Sequence, residues 1–436
     1  MPFVRRRYAT IEPMPKPAPS RPMRIGEPQP HGPAAMITRR ASDRLRAGHL
    51  WVYASDVEQL IPPLGAATIL PGALVTVLDS RNIPLGTALF SDSSQIALRL
   101  VSPQPAFTRA AYLDDVRIRV AAALDLRDRL APTMPENNAC RLLFSEADNL
   151  PGIVADRYND LVLLQLLAQG TAQDDLRRLL TELLRERLHP ATIVERPDPR
   201  IRELEDLPAP PTIPLHADTA EEPQLTTIFT INNVRFHYDA TAGQKTGAFL
   251  DQRLNYAAAA RHAHGSALDI CTYQGGFALH LAQTCQHVTG VDSSRAALEV
   301  ADRNLELNPG YTVDWIEADA FLLLRDYDAS GQRFDTIVLD PPAFAKSKRS
   351  AEGALRGYKE LNLRALRMLR PGGRLITCSC SHHVPLEDFT AVVASAAADT
   401  HRTAQVLEIR GAAPDHPSIL TLPETNYLKC LILHVA

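Results

Sequence analysis

Between residues 266 and 340 one arrangement recurs: a short apolar run with an acidic residue where the run stops. The runs are "SALDICTYQGG", "HVTGVDSS", "VDWIEADAF" and "FDTIVLDPPAF", and the acids are Asp269, Asp292, Asp319 and Asp340. Helical segments such as "RAALEVADRNLELN" separate them. Strands that alternate with helices specify an open parallel sheet, because a parallel neighbour is reached only through a crossover. Ligands of such sheets bind beyond the carboxyl ends of the strands. Singly, each acid is as well explained as a loop or helix-cap residue. Their recurrence at successive strand ends predicts one crevice.

Within that crevice, "CTYQGG" is a turn from strand to helix in which Gly275 and Gly276 allow a ligand to approach the backbone. No Gly-Lys-Ser/Thr follows, so this is not a Walker loop, and the full GxGxxG of a dinucleotide site is missing. Asp292 ends the next strand, where a carboxylate can accept bonds from ribose hydroxyls. The expected cofactor-binding residues are therefore Asp269, Thr272, Tyr273, Gly275, Gly276, Asp292, Asp319 and Asp340. They point to a nucleotide-type cofactor without choosing which.

The remaining chain divides by texture. Residues 1–34 are proline-rich without apolar periodicity, and a disordered tail is expected. Residues 35–104 change to short β-branched runs such as "ALVTVLDS" and "SQIALRLVS", which predict a small β module. Its basic segment, with Arg39, Arg40 and Arg44, leads into Trp51 and Tyr53. Arginines beside aromatics can bind RNA, and they suit a structural domain equally. Residues 105–238 mix helices and strands, include a proline- and acid-rich stretch at 197–224 read as a long loop, and close on a hairpin turning at Asn232–Asn233. Residues 239–436 carry the open sheet.

Composition enters by exclusion. No apolar run approaches the roughly 20 residues of a membrane helix. The basic N-terminus is not followed by the apolar stretch of a secretory signal. Six cysteines scattered over 436 residues suit reduced thiols in a cytoplasm. A formal net charge of −4 means that any nucleic-acid contact must be a local basic patch. The loop "AKSKRS", with Lys346, Lys348 and Arg349, is one such patch, or equally a solvated surface loop.

Several stretches taken together carry a resemblance. They are "LFSEADNLPGIVADRYNDLVLLQ", "IVERPDPRIRELEDL", "GQKTGAFLDQR", "CTYQGGFALHLA", "VLDPPAFAKSK", "GYKELNLRALRMLRPGGRLITCSCS" and "DHPSILTLPETNYLKC". From about residue 36 onward the chain resembles the ribosomal RNA large subunit methyltransferase I family, cytosine-C5 methyltransferases of large-subunit rRNA. The resemblance implies an α/β protein with three domains: a small N-terminal β PUA-like RNA-binding domain, a central α+β domain and a C-terminal class I methyltransferase domain of Rossmann-like fold. It implies S-adenosyl-L-methionine (SAM) as cofactor, with Gln252 among its contacts, and Lys245 and Arg253 as contacts to SAM or to RNA. It also implies 23S rRNA or an assembling large subunit as partner, in the cytoplasm and away from membranes, and leaves a homodimer open.

The stretch "TCSCSHH", Thr377 to His383, has several readings from its residues alone. Cysteines so close in an extended strand are badly placed for a disulfide. Zinc takes four ligands, typically in wider-spaced pairs; Cys-x-Cys with His382 and His383 could supply several, but no metal site is expected. Cytosine C5 is a poor nucleophile until a thiolate adds to C6, a covalent step that needs a cysteine at the open end of the sheet. The resemblance implies Cys380 in that role. Cys378, two residues earlier, is read as a packing residue. Asp340 is the second expected catalytic residue, able to bond the base and offset charge; its plain role would be capping the Pro341–Pro342 turn. A related class of RNA cytosine methyltransferases has a second cysteine just after this motif, where this chain has Ala343. The rival activities are methylation of an exocyclic amine or of uracil C5, and RNA binding without catalysis.

Overall fold

A computed structural model describes residues 23–131, 136–219, 222–241, 248–345 and 350–436. Lys245, Lys346, Lys348 and Arg349 lie outside the described residues. Three sheets and a hairpin follow one another along the chain.

The N-terminal sheet has seven strands in the order Arg24–Ile25, Val57–Ile61, Ala34–Ile37, Leu74–Leu78, Pro84–Phe90, Ile96–Ser102 and Trp51–Tyr53. Its alternating β-branched residues bury one face around Ile37, Val52, Val75, Val77, Phe90 and Leu98. The expected tail is corrected at its end. Arg24–Ile25 pairs in parallel with Gln59–Leu60, and Gly26 N donates to Leu60 O at 2.7 Å. A two-residue strand has no periodicity to read, and its pairing depends on a partner far along the chain.

The central sheet runs His216–Ala217, Thr192–Glu195, Leu161–Leu166, Ile153–Tyr158 and Ala139–Phe144. Helices Arg109–Leu130 and Asp174–Leu188 cover it with Val116, Val120, Leu124, Leu176 and Leu180. The stretch expected as a long loop also departs from that reading. It holds the helix Pro199–Leu204, capped by Asp198, and Glu205 at its end is buried against Arg99 (2.7 Å) and Ser91 (2.9 Å) of the first module. Tertiary charge pairing, invisible in local pattern, orders it. Asn232 and Asn233 both take positive φ, as the two-residue turn of the hairpin Thr226–Ile231 and Val234–Asp239 requires.

The C-terminal sheet has seven strands in the order Asp314–Glu317, His287–Asp292, Ser266–Ile270, Phe334–Leu339, Leu369–Ser379, Lys429–Val435 and Ala404–Arg410. The first five are parallel, and Lys429–Val435 is antiparallel to both its neighbours. Apolar cores lie on both faces, one around Tyr256, Phe277 and Leu279, the other around Tyr358, Leu361 and Phe389. The strand order reverses between Ser266–Ile270 and Phe334–Leu339, the position where open α/β sheets form their crevice.

A buried ionic clasp ties this domain to the central one. Arg253 and Asp415, both almost fully buried, pair at 2.8 Å, and Asp415 also accepts from Arg141 N at 2.7 Å. Arg127 donates to the Asp415 carbonyl (2.7 Å) and pairs with Asp148 (2.6 Å). The expectation that Arg253 contacts SAM or RNA is thus overturned: it is 0 % exposed.

Candidate active site

The strand Ser266–Ile270 leads into a turn in which Cys271, Tyr273 and Gly275 have φ of 64°, 51° and 86°. Alternation between left- and right-handed residues turns backbone N–H groups into a concave cradle. The acids secure it. Asp269, fully buried, accepts from Thr272 Oγ1 at 2.6 Å and from Ala278 N at 2.9 Å. Asp292 accepts from Tyr273 N and Ser294 N, each at 2.9 Å. Asp319 caps the helix Ala320–Ser330 through Leu322 N at 3.0 Å. Asp269, Asp292 and Asp319 therefore each have the plain structural role open to them.

They also converge. Burial pushes the Cys271 thiol up, and Asp292, Asp340, Asp269 and Asp319 all add to that shift; the strands that carry Asp269 and Asp292 and the strand before Asp340 lie side by side in the sheet. Burial raises Asp269 to about 7, and its Oδ1 has no hydrogen-bond partner among the described residues. A crevice ringed by carboxylates, one with a spare buried acceptor, fits a cationic nucleoside with ribose hydroxyls and an ammonium group.

At the neighbouring strand end, Cys380 follows Leu369–Ser379, and its Sγ lies 4.0 Å from Pro341 O. The thiol and the Asp-Pro-Pro turn thus face each other. Burial pushes Cys380 up to about 11, with Asp340 and Asp251 adding and Lys429 opposing. Cys378 is fully buried opposite Cys430 in the sheet, a packing position. Gln252 is buried, donating to Asp340 Oδ1 (3.1 Å) and accepting from Asn255 (2.7 Å). It holds the Asp340 carboxylate, a role its sequence position did not disclose.

The S-adenosylmethionine-dependent methyltransferase family model matches residues 212–424, and the PUA-like domain model matches 36–103. The ribosomal RNA large subunit methyltransferase I of Erwinia tasmaniensis is 38% identical over 388 residues, 87% of this chain and 94% of its own. That of Shewanella amazonensis is 38% identical over 394 residues, 89% and 95% of the two chains. The chain belongs to the ribosomal RNA large subunit methyltransferase I family.

Solved structures agree on the fold. A chain described as a methyltransferase complexed with SAH superposes with TM-score 0.75 at 19% identity, over 92% of this chain and 99% of that one. A SAM-dependent methyltransferase of Streptococcus mutans gives 0.73 at 19% identity, with the same coverage of each chain. The cofactor of this methyltransferase I family member is SAM. The cradle of Thr272, Tyr273, Gly275 and Gly276, with Asp269, Asp292 and Asp319, would hold it, and it would supply an electrophilic methyl group.

The structure also adds residues that sequence reasoning missed. Tyr358 OH accepts from Ser379 Oγ and bonds Ser381 Oγ, both at 2.9 Å, which fixes the two serines that flank Cys380. Tyr427 donates to Asp251 at 2.5 Å, and its ring packs on His382. Lys429, 6 % exposed, donates to Ser381 O at 2.7 Å and to Tyr427 O at 2.8 Å. The signals for Lys429 are a charge opening the apolar run "KCLILHV" and its place in the stretch "DHPSILTLPETNYLKC".

The basic helix Arg39–Arg46 is partly committed elsewhere. Arg40 and Arg44 both pair with the buried Asp56, at 2.8 and 2.7 Å, and Arg44 lies over the Tyr53 ring. Trp51 donates to Glu146 of the central domain at 2.8 Å. Arg39 is 90 % exposed, and its ion pair among the described residues is a 3.9 Å contact to Asp43.

Proposed function

We propose that this chain methylates C5 of a cytosine in large-subunit ribosomal RNA, with Cys380 as the nucleophile. One observation carries the reading: the Cys380 thiol stands against the carbonyl of Pro341, at the mouth shared by the Asp-Pro-Pro turn and the cofactor cradle. The thiolate bonds to C6 and opens the 5,6 double bond. The electron pair gained at C5 would take the methyl group as that group's bond to the SAM sulfur breaks, leaving a neutral thioether. Loss of the C5 proton restores the double bond as the C6–S bond breaks and the thiolate leaves. Asp340, steadied by Gln252, bonds the polar edge of the base and offsets charge during addition. The base leaves its stack to reach this depth. Arg39 on the PUA-like module meets phosphate.

The test uses RNA containing 5-fluorocytosine, whose fluorine cannot leave as a proton does. With SAM present, a denaturation-resistant protein–RNA adduct should accumulate in wild type and Cys378→Ala and be lost in Cys380→Ala. Absence of the adduct despite measured SAM and RNA binding would overturn the covalent reading and favour amine methylation at the Asp-Pro-Pro turn.

A further inference from the structure

Lys429 opens a buried, apolar strand, and its amine lies almost out of solvent. Burying an ammonium costs several kcal/mol unless charge or hydrogen bonds compensate. Here two carbonyl dipoles account for two of its three N–H groups. Among the described residues its hydrogen-bond partners are these two carbonyls, and no carboxylate figures among the groups that shift it. The lysine nevertheless brackets one residue. It stands opposite Ser379 in the sheet register and donates to the carbonyl of Ser381, so Cys380 lies between its two anchor points.

We propose that Lys429 is the counter-charge of the Cys380 thiolate, a buried ammonium pinned by two carbonyls that stabilises the ionised sulfur before it adds to the base. The catalytic part of this rests on the reading of Cys380 as nucleophile; the charge coupling does not. The other groups facing Cys380 work the opposite way. Asp340 and Asp251 oppose its ionisation, and the phenols of Tyr358 and Tyr427 are themselves held protonated by burial, with Cys380 adding to the shift. His382, whose ring bonds Glu424 O, is kept neutral chiefly by burial. Lys429 is the cation of the set. Burial lowers it to about 8, and Cys380 pulls it back up. Below that pH the ammonium favours the thiolate; above it the amine is neutral and the help is lost. Thiolate then forms mainly by transfer of the Cys380 proton to the neutral Lys429 amine, whose extent does not depend on pH. The thiolate fraction should therefore climb with pH, bend near pH 8, and climb again only where the sulfur titrates against a neutral amine.

The experiment follows iodoacetamide alkylation of Cys380, by peptide mass spectrometry, against pH in wild type, Lys429→Met and Lys429→Arg, with SAM binding as the folding control. Lys429→Met should alkylate about tenfold slower near neutral pH and show no bend, while Lys429→Arg keeps the neutral-pH rate within about threefold. A loss of equal size at every pH, or profiles that superimpose, would overturn the proposal. Should Lys429→Met fail to bind SAM, the wild-type profile alone decides: an unbroken rise through pH 8 refutes the coupling. Because alkylation needs no RNA, a bend without any fluorocytosine adduct would sustain the charge pair and reject the nucleophile.

Discussion

The two halves of the crevice are built in different ways. The cofactor cradle is local: Asp269 secures Thr272 and Ala278, and Asp292 secures Tyr273 and Ser294. Its partners are short-range in sequence or lie on adjacent strands. The cysteine end is assembled from afar, with Gln252, Asp340, Tyr358, Cys380 and the neighbours Tyr427 and Lys429 arriving on five different stretches of chain. A local cradle survives small domain movements. An assembled one depends on everything that sets the positions of its parts. Six substitutions probe that contrast.

The largest effect is expected at the assembled end. Cys380→Ala should lower the methylation rate at least about a thousandfold, while SAM affinity, a property of the cradle, changes less than about threefold. Parallel loss of SAM binding would show that the two halves are not separable.

Arg253→Met tests how far the assembled end reaches. It takes the buried guanidinium from the Asp415 carboxylate and leaves His416 as the remaining ion-pair partner, a loss of about 3–5 kcal/mol in stability. Thermal denaturation should show it, with the catalytic rate falling as well because Arg253 follows Gln252. Unchanged stability would remove the clasp from the account.

Asp269→Asn probes the cradle through pH. The folded Asp269 titrates at about 7 against an ordinary value of 3.8, so the folded chain holds more protons than the unfolded one between those values. Its contribution to stability is fully present below about pH 4 and is lost as pH rises through 7. The stability advantage of wild type over Asp269→Asn should therefore shrink by about 2 kcal/mol between pH 5 and pH 8. A constant gap, read by denaturant melts, would contradict the raised value.

Gln252→Ala should reduce the turnover rate about tenfold, the cost of roughly one hydrogen bond to a charged group, and leave SAM affinity nearly unchanged. A larger effect on SAM binding than on turnover would return Gln252 to the cofactor side. The smallest effect belongs to the PUA-like module. Arg39→Ala should weaken RNA binding about twofold to threefold and lower its salt dependence by about one ion. Arg44→Ala should act mainly on stability, because Asp56 loses a partner.

Much of the cradle was legible because its signals are short-range. Asp269 to Gly276 and the repeated strand-end acids lie in continuous text, and the Asn232–Asn233 turn dictates its own backbone. Cys380 was legible only through resemblance, since its own neighbours allow packing and metal-binding readings as well. Arg253 was misread because a charged residue beside a site looks like a ligand contact until its buried partner Asp415 is seen, far along the chain. Glu205, in the stretch expected as a loop, was ordered by Arg99 for the same reason.

The sequence by itself determined the alternation of strand and helix, the acids at the strand ends and the glycine turn between them. Period and turn chemistry act over a few residues and need no partner. Only the tertiary structure decided which polar and charged groups are committed: Gln252 to Asp340, Arg40 and Arg44 to Asp56, Arg253 to Asp415, and Lys429 to the carbonyls around Cys380. Burial sets what an ionic group costs, and burial belongs to the packed chain as a whole.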